Sequence, residues 1–374
     1  MLLFISVCWG NDTVPERSSG NAISTSSFTS TAATPIEFKW RLSTRYFKAS
    51  NTDASDCFGK SVAMSTDGRT LAISANCESS NAIGVNGNQS DNSATAAGAV
   101  YIFVRSGTSW TQEAYLKASN TGMYDSFGYF LSLSADGNTL AVSASEEASN
   151  ATGIDGKQSD NSAFRSGAVY LFTRKDKKWI QQAYVKASNT EASDYFGGYL
   201  ALSADGNILA VGAKGEDGSS SGVNGKQNDN SARDSGAVYV FERRGETWSQ
   251  SAYIKASDTA ANDNFGVSVS MSADGRLLAI GAAMEDSNSI GVDGSQIVDG
   301  KSNSGAVYLF EKTKSGWRQQ AYIKASNPDV DDYFGGNLTL SADGGTLAVG
   351  ALGEGSNARR INGDQFNNSF DQSG

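Results

Sequence analysis

Oxygen donors crowd one short stretch of the chain. From Gly222 to Ala232 it reads GVNGKQNDNSA, which brings Asn224, Gln227, Asp229 and Asn230 close together, and Glu216 lies just upstream. Donors of this kind, without sulfur or imidazole, suit Ca²⁺ rather than a transition metal. The same residue types also form Asx turns and cap their own backbone. A calcium site and a self-bonded loop are therefore the two readings of this stretch. A second acidic set is Asp56, Asp125, Asp194, Asp263 and Asp332, each two residues before a Phe-Gly pair. Each is placed to accept backbone N–H bonds or to meet a neighbouring loop.

The chain contains no histidine. That absence removes Ser-His-Asp and Cys-His nucleophile systems, His-ligated zinc and any imidazole base. Phosphate-cradling glycine loops and Cys-x-x-Cys pairs are missing too, and no unique acidic cluster interrupts the sequence as a glycosidase pair would. On these grounds the chain reads as a protein that is not an enzyme. With a net charge of −10 and no basic cluster, it also lacks the surface that would track nucleic-acid phosphates.

Three cysteines offer other chemistry. Cys57 and Cys77 fall in one module, and either a local disulfide or two buried free thiols fits them. Cys8 follows FISV, a loose version of a bacterial lipoprotein cleavage box with Val7 at the position of the usual small residue, so a lipid anchor at Cys8 is an expectation. Residues 1–16 read as an export-signal remnant and residues 17–34, rich in Ser and Thr, as a flexible linker. A disordered cytosolic tail is the alternative. No run approaches the roughly 18–20 apolar residues of a transmembrane span.

The elements that must position these groups are written repeatedly. Lys-Ala-Ser begins at Lys48, Lys117, Lys186, Lys255 and Lys324, a constant step of 69 residues. Phe-Gly pairs from Phe58 to Phe334 and tryptophans from Trp110 to Trp317 keep the same step. One supersecondary unit stacked on its own copies accounts for that spacing. Each full copy holds four strand-like runs, shown in the third by GYLALS, ILAVGA, GAVYVF and TWSQSAYIKAS. The second is apolar on both faces, as a strand covered on both sides must be. Asp205-Gly206 predicts a type I′ hairpin between the first two. The lysine after the fourth run reads as charge protecting an outer edge.

The fold class is therefore all-β: a β-propeller of four-stranded antiparallel blades over residues 35–374, with about five blades present. Phe196-Gly197 with Gly212-Ala213, Phe265-Gly266 with Gly281-Ala282, and Phe334-Gly335 with Gly350-Ala351 resemble the FG-GAP repeat of integrin α-subunit propellers, and more closely that of bacterial cell-surface FG-GAP proteins. The first two copies carry Ser74-Ala75 and Ser143-Ala144, and the closing proline is replaced throughout, by Lys214 in the third. The resemblance implies a seven-bladed ring outside the cell or in the periplasm, and a protein or glycan ligand at its loops. It also implies calcium in the first hairpin turn of some members. Here Ala201, Ser203 and Leu209 stand where that pattern needs oxygen ligands, so that turn is set aside. The expected function is a binding or adhesion module; the alternatives are the propeller part of a larger secreted hydrolase and a surface spacer. Because the fifth copy stops at Gly374 before its third strand, truncation from a longer propeller is expected. Pairing of that copy with residues 35–50, where Trp40 is one place out of register, is the rescue.

Overall fold

The computed structural model describes residues 46–296, 299–370 and 374. Cys8, the signal-like segment, the Ser/Thr-rich linker and residues 35–45 of the closing strand lie outside these. The first sheet comprises β1 (Phe58–Met64), β2 (Thr70–Ala75), β3 (Ala99–Ser106) and β4 (Ser109–Leu116). The second comprises β5 (Leu131–Leu133), β6 (Thr139–Ala144), β7 (Ala168–Lys175) and β8 (Lys178–Val185). In the third are β9 (Tyr199–Leu202), β10 (Ile208–Ala213), β11 (Ala237–Arg244) and β12 (Thr247–Ile254). The fourth holds β13 (Phe265–Met271), β14 (Leu277–Ala282), β15 (Ala306–Thr313) and β16 (Gly316–Ile323). A fifth, two-stranded sheet pairs β17 (Phe334–Leu340) with β18 (Leu347–Ala351). Each four-stranded sheet runs in sequence order and is antiparallel throughout, the arrangement of propeller blades.

Burial follows from residue size. Strands β2, β6 and β10 are buried at every position. Their Ala, Gly and Ser residues let neighbouring sheets approach: a Cβ added at Gly212 would lie 2.1 Å from the carbonyl oxygen of Gly266 in the next module. Aromatic residues fill the wider spaces. Phe196 is fully buried and meets Tyr239 edge-on at 5.4 Å, and Tyr239 in turn lies 5.3 Å from Tyr253. Trp179 and Trp248 are buried at the outer corners.

Two sequence expectations change here. The Asp205-Gly206 turn is not type I′, because among its residues only Gly206 has positive φ (+69°). Gly206 N donates to the Ser203 carbonyl at 2.9 Å, and Ser203 Oγ takes the Ile208 amide at 2.9 Å, so a type I turn ending in a left-handed glycine closes the hairpin. The second correction concerns the lysines. Lys117, Lys186, Lys255 and Lys324 are buried, not at a solvent edge. Lys48 alone of the five is exposed.

Candidate functional site

The lysines are buried because each meets a glutamate from the loop after its own second strand. The Nζ–Oε2 distances are 2.9 Å (Lys117–Glu78), 3.0 Å (Lys186–Glu147), 2.8 Å (Lys255–Glu216) and 2.6 Å (Lys324–Glu285). Around Glu216 the set is completed by Tyr253 OH at 2.8 Å, Gly218 N at 3.0 Å and Asn189 Nδ2 at 3.1 Å. Burial pushes each lysine below its ordinary range while its glutamate pulls it back up. A buried charge left without such a partner is costly, so these pairs hold the long loop to the blade.

That geometry separates the oxygen donors singled out in the sequence. Glu216 faces Lys255 inside the blade, and its carboxylate is committed there. Asn224 uses Oδ1 to accept the Tyr253 amide at 3.0 Å. Gln227 receives the Ser188 hydroxyl on its side chain and Asn189 Nδ2 on its main-chain carbonyl at 2.7 Å. Asp229 accepts from Ser219 Oγ at 2.7 Å and Ser231 N at 3.0 Å, and Asn230 Nδ2 reaches Glu191 at 2.5 Å. Hydrogen bonds from the Ser231 and Ser219 hydroxyls hold Asp229 below the usual carboxylate range. The five residues are thus spread along a self-bonded loop. Among the described residues no group of three or more acidic or cysteine side chains is placed to hold a metal.

The repeated aspartates cap the backbone three residues upstream: Asp194 accepts Glu191 N at 2.9 Å, and Asp125 accepts Gly122 N at 2.8 Å. Burial pushes Asp194 and Asp263 up to about 8 and Asp125 to about 7. Cys57 and Cys77 are free thiols, the first exposed and the second half-buried. Burial, with Cys57 beside it, pushes the Cys77 thiol up to about 11.

One feature of the loop face had no signal in the linear sequence beyond the odd residue Lys214. Between the second and third modules Phe164 is 61% exposed, and the Arg165 guanidinium lies over its ring at 4.8 Å. Arg165 also lies over Tyr195 at 5.9 Å and donates to its hydroxyl at 3.2 Å. Lys214 Nζ sits 5.4 Å from the same ring, and Glu146 is the acidic neighbour of Arg165 at 3.3 Å. The corresponding places in the next module are taken by Arg233, Asp234, Asn264 and Ala283, so the aromatic–cation stack interrupts the repeat.

Successive four-stranded antiparallel meanders, each packed against the next, are the blades of a β-propeller. The FG-GAP repeat model matches residues 110–172, 179–241 and 248–310, just over half of the chain, and the protein belongs to the FG-GAP repeat family. Each matched unit runs from the fourth strand of one sheet through the third strand of the next, so repeat and blade are offset. No curated protein sequence matches the chain. Among solved structures, one named provisionally as a 6-phosphogluconolactonase from Bacteroides uniformis is 14% identical, with a TM-score of 0.39, over 72% of this chain and 55% of that one. The periplasmic gluconolactonase PpgL of Pseudomonas aeruginosa is 16% identical, with a TM-score of 0.43, over 78% of this chain and 64% of that one. This chain thus spans less than two thirds of either. The expectation that the chain is not an enzyme is corrected on this point, since both proteins carry enzyme names. At such identities and scores the likeness assigns no reaction here.

Proposed function

We infer that this propeller is a ligand-binding module of the cell surface or extracellular space, and that it takes an acidic glycan on the loop face between its second and third modules. The observation that supports this reading is the stack of Phe164, Arg165, Tyr195 and Lys214. Two cations are mounted on aromatic rings in a chain whose net charge is −10. Exposed aromatic faces suit the apolar faces of sugars, and a cation beside them pairs with a carboxylate or sulfate. Loops carried on a rigid scaffold are the usual place for such contacts.

The test is a glycan array read at two salt concentrations with the full chain and with Arg165→Ala and Phe164→Ala. Binding to acidic members that weakens with salt and falls at least tenfold in both variants is expected. Binding that ignores both substitutions, or no binding to any acidic glycan, overturns the assignment.

A further inference from the structure

Four of the five modules place an asparagine at one junction beneath the long loop, and the fourth places Asp258 there. In the first three modules the asparagine accepts a tyrosine hydroxyl on its side-chain carbonyl: Tyr101 to Asn51 at 2.5 Å, Tyr170 to Asn120 at 2.6 Å and Tyr239 to Asn189 at 2.5 Å. Its amide nitrogen donates to the module's glutamate, at 2.8 Å in the first and second modules and 3.1 Å in the third and fifth. The same nitrogen donates to the main-chain carbonyl of the loop glutamine, at 3.1 Å for Gln89, 2.7 Å for Gln227 and 2.8 Å for Gln365. The amide thus bridges two acceptors.

Asp258 keeps the first bond, with Tyr308 OH 2.6 Å from Oδ1. With Oδ1 on Tyr308 as in the asparagine modules, the second oxygen falls by the repeat at the place of the bridging nitrogen, with Glu285 as a nearby like charge. An ionised carboxylate only accepts hydrogen bonds, whereas the neutral acid carries one donor. Glu285 meanwhile keeps the contacts of its counterparts, taking Lys324 Nζ at 2.6 Å and Tyr322 OH at 2.9 Å, so its ion pair is already formed. Two carboxylates facing one another without a donor between them cannot both ionise cheaply.

We propose that Asp258 is held as the neutral acid in the folded protein and donates its proton toward Glu285, so that the fourth module loosens as rising pH removes that proton. The groups around Asp258 are Tyr308 from β15, Glu285 from the loop after β14, Asp299 from the far side of that loop, Asp263 ahead of β13 and Lys324 after β16. Burial raises the Asp258 carboxyl, the Tyr308 bond opposes this, and Glu285 and Asp299 add to the rise. In the unfolded chain the same carboxyl ionises near its ordinary value, about 3.9. The folded state therefore keeps a proton that the unfolded state has released, and stability falls as pH climbs from about 4 through the raised value.

The experiment is thermal melting of the full chain, of Asp258→Asn and of Asn189→Asp, at pH 5 and pH 8 in chelator at fixed ionic strength. Asp258→Asn installs the residue of the other modules and is expected to raise the midpoint by about 2 °C or more at pH 8, with a smaller gain at pH 5. Asn189→Asp is expected to lower the midpoint at pH 8 and to recover at pH 5. An equal gain at both pH values, or none, overturns the proposal. At pH 7 the infrared carbonyl stretch of a protonated carboxylic acid should be present in the parent and diminished in Asp258→Asn, and an unchanged band is a second way for it to fail. A parent midpoint that follows Na⁺ or Ca²⁺ at fixed pH, and does not follow pH, would put a cation in place of the proton and overturn it as well.

Discussion

Trp248 and Trp317 occupy the same corner of consecutive modules, and only the first finds a partner. Trp248 Nε1 donates to Gln182 Oε1 at 3.0 Å, as Trp179 does to Glu113 one module earlier. Trp317 is also buried, but its Nε1 has no acceptor, because Ser251 stands where Gln182 and Glu113 stand and is shorter than either. Ser251 turns instead to the Val240 carbonyl at 3.2 Å. The difference shows that the apolar frame belongs to each module, whereas its polar contacts are settled pairwise between neighbours. Substitutions that separate frame from pairing are the ways to test this.

The largest effect is expected where a pairing is buried outright. Lys255→Met would leave Glu216 as an uncompensated charge, at a cost of about 3–5 kcal/mol. Lys48→Met, at the exposed copy, should stay within about 0.5 kcal/mol. Urea denaturation of both variants measures the contrast, and similar losses would mean that Lys48 is not the solvent-facing copy that it is here.

The frame was legible in the sequence and the pairings were not. The run ILAVGA forms β10 over the expected residues, and the apolar–apolar pattern signalled its two covered faces. A lysine after an outer strand, by contrast, reads as a solvent charge by local rules. Its glutamate lies 39 residues upstream. That glutamate repeats at the same 69-residue step, so the pair had a signal for anyone asking which acid shares the period of the base. The type I′ reading of Asp205-Gly206 failed because Ser203 caps the turn from outside the two central residues. The stack of Phe164, Arg165, Tyr195 and Lys214 depends on three separate segments meeting, which no spacing rule reports.

A second effect is expected from the capping aspartates. Asp194 and Asp263 are pushed up to about 8 by burial, against about 3.9 in an unfolded chain. The folded protein then holds protons that the unfolded chain has lost, so stability should decline as pH rises from about 4 to about 8. Asp194→Asn keeps an acceptor for the Glu191 amide and should flatten that decline. An unchanged slope would show that Asp194 is ionised in the folded state.

A smaller gain is expected from repairing the odd corner. Ser251→Gln supplies Trp317 with the acceptor that Trp248 has in Gln182, and should stabilise by about 1 kcal/mol. Loss of stability would show that the corner has no room for the longer side chain. The matching removal, Gln182→Ser, should cost a similar amount at Trp248.

The smallest effect is expected from calcium, and it sharpens the contrast between the loop and the blade beneath it. Ca²⁺ needs six to eight oxygens converging on one point. Here Glu216 points inward to Lys255, Asn224 serves the Tyr253 amide, and Asp229 serves Ser219 and Ser231. Binding would have to break those bonds before it made new ones, and only a ligand held more tightly by the folded than the unfolded chain raises the midpoint. Melting in millimolar calcium should therefore match melting in chelator within about 1 °C. A larger rise that Asp229→Ala abolishes would show that the loop rearranges around the ion, and the self-bonded loop would then be its resting form.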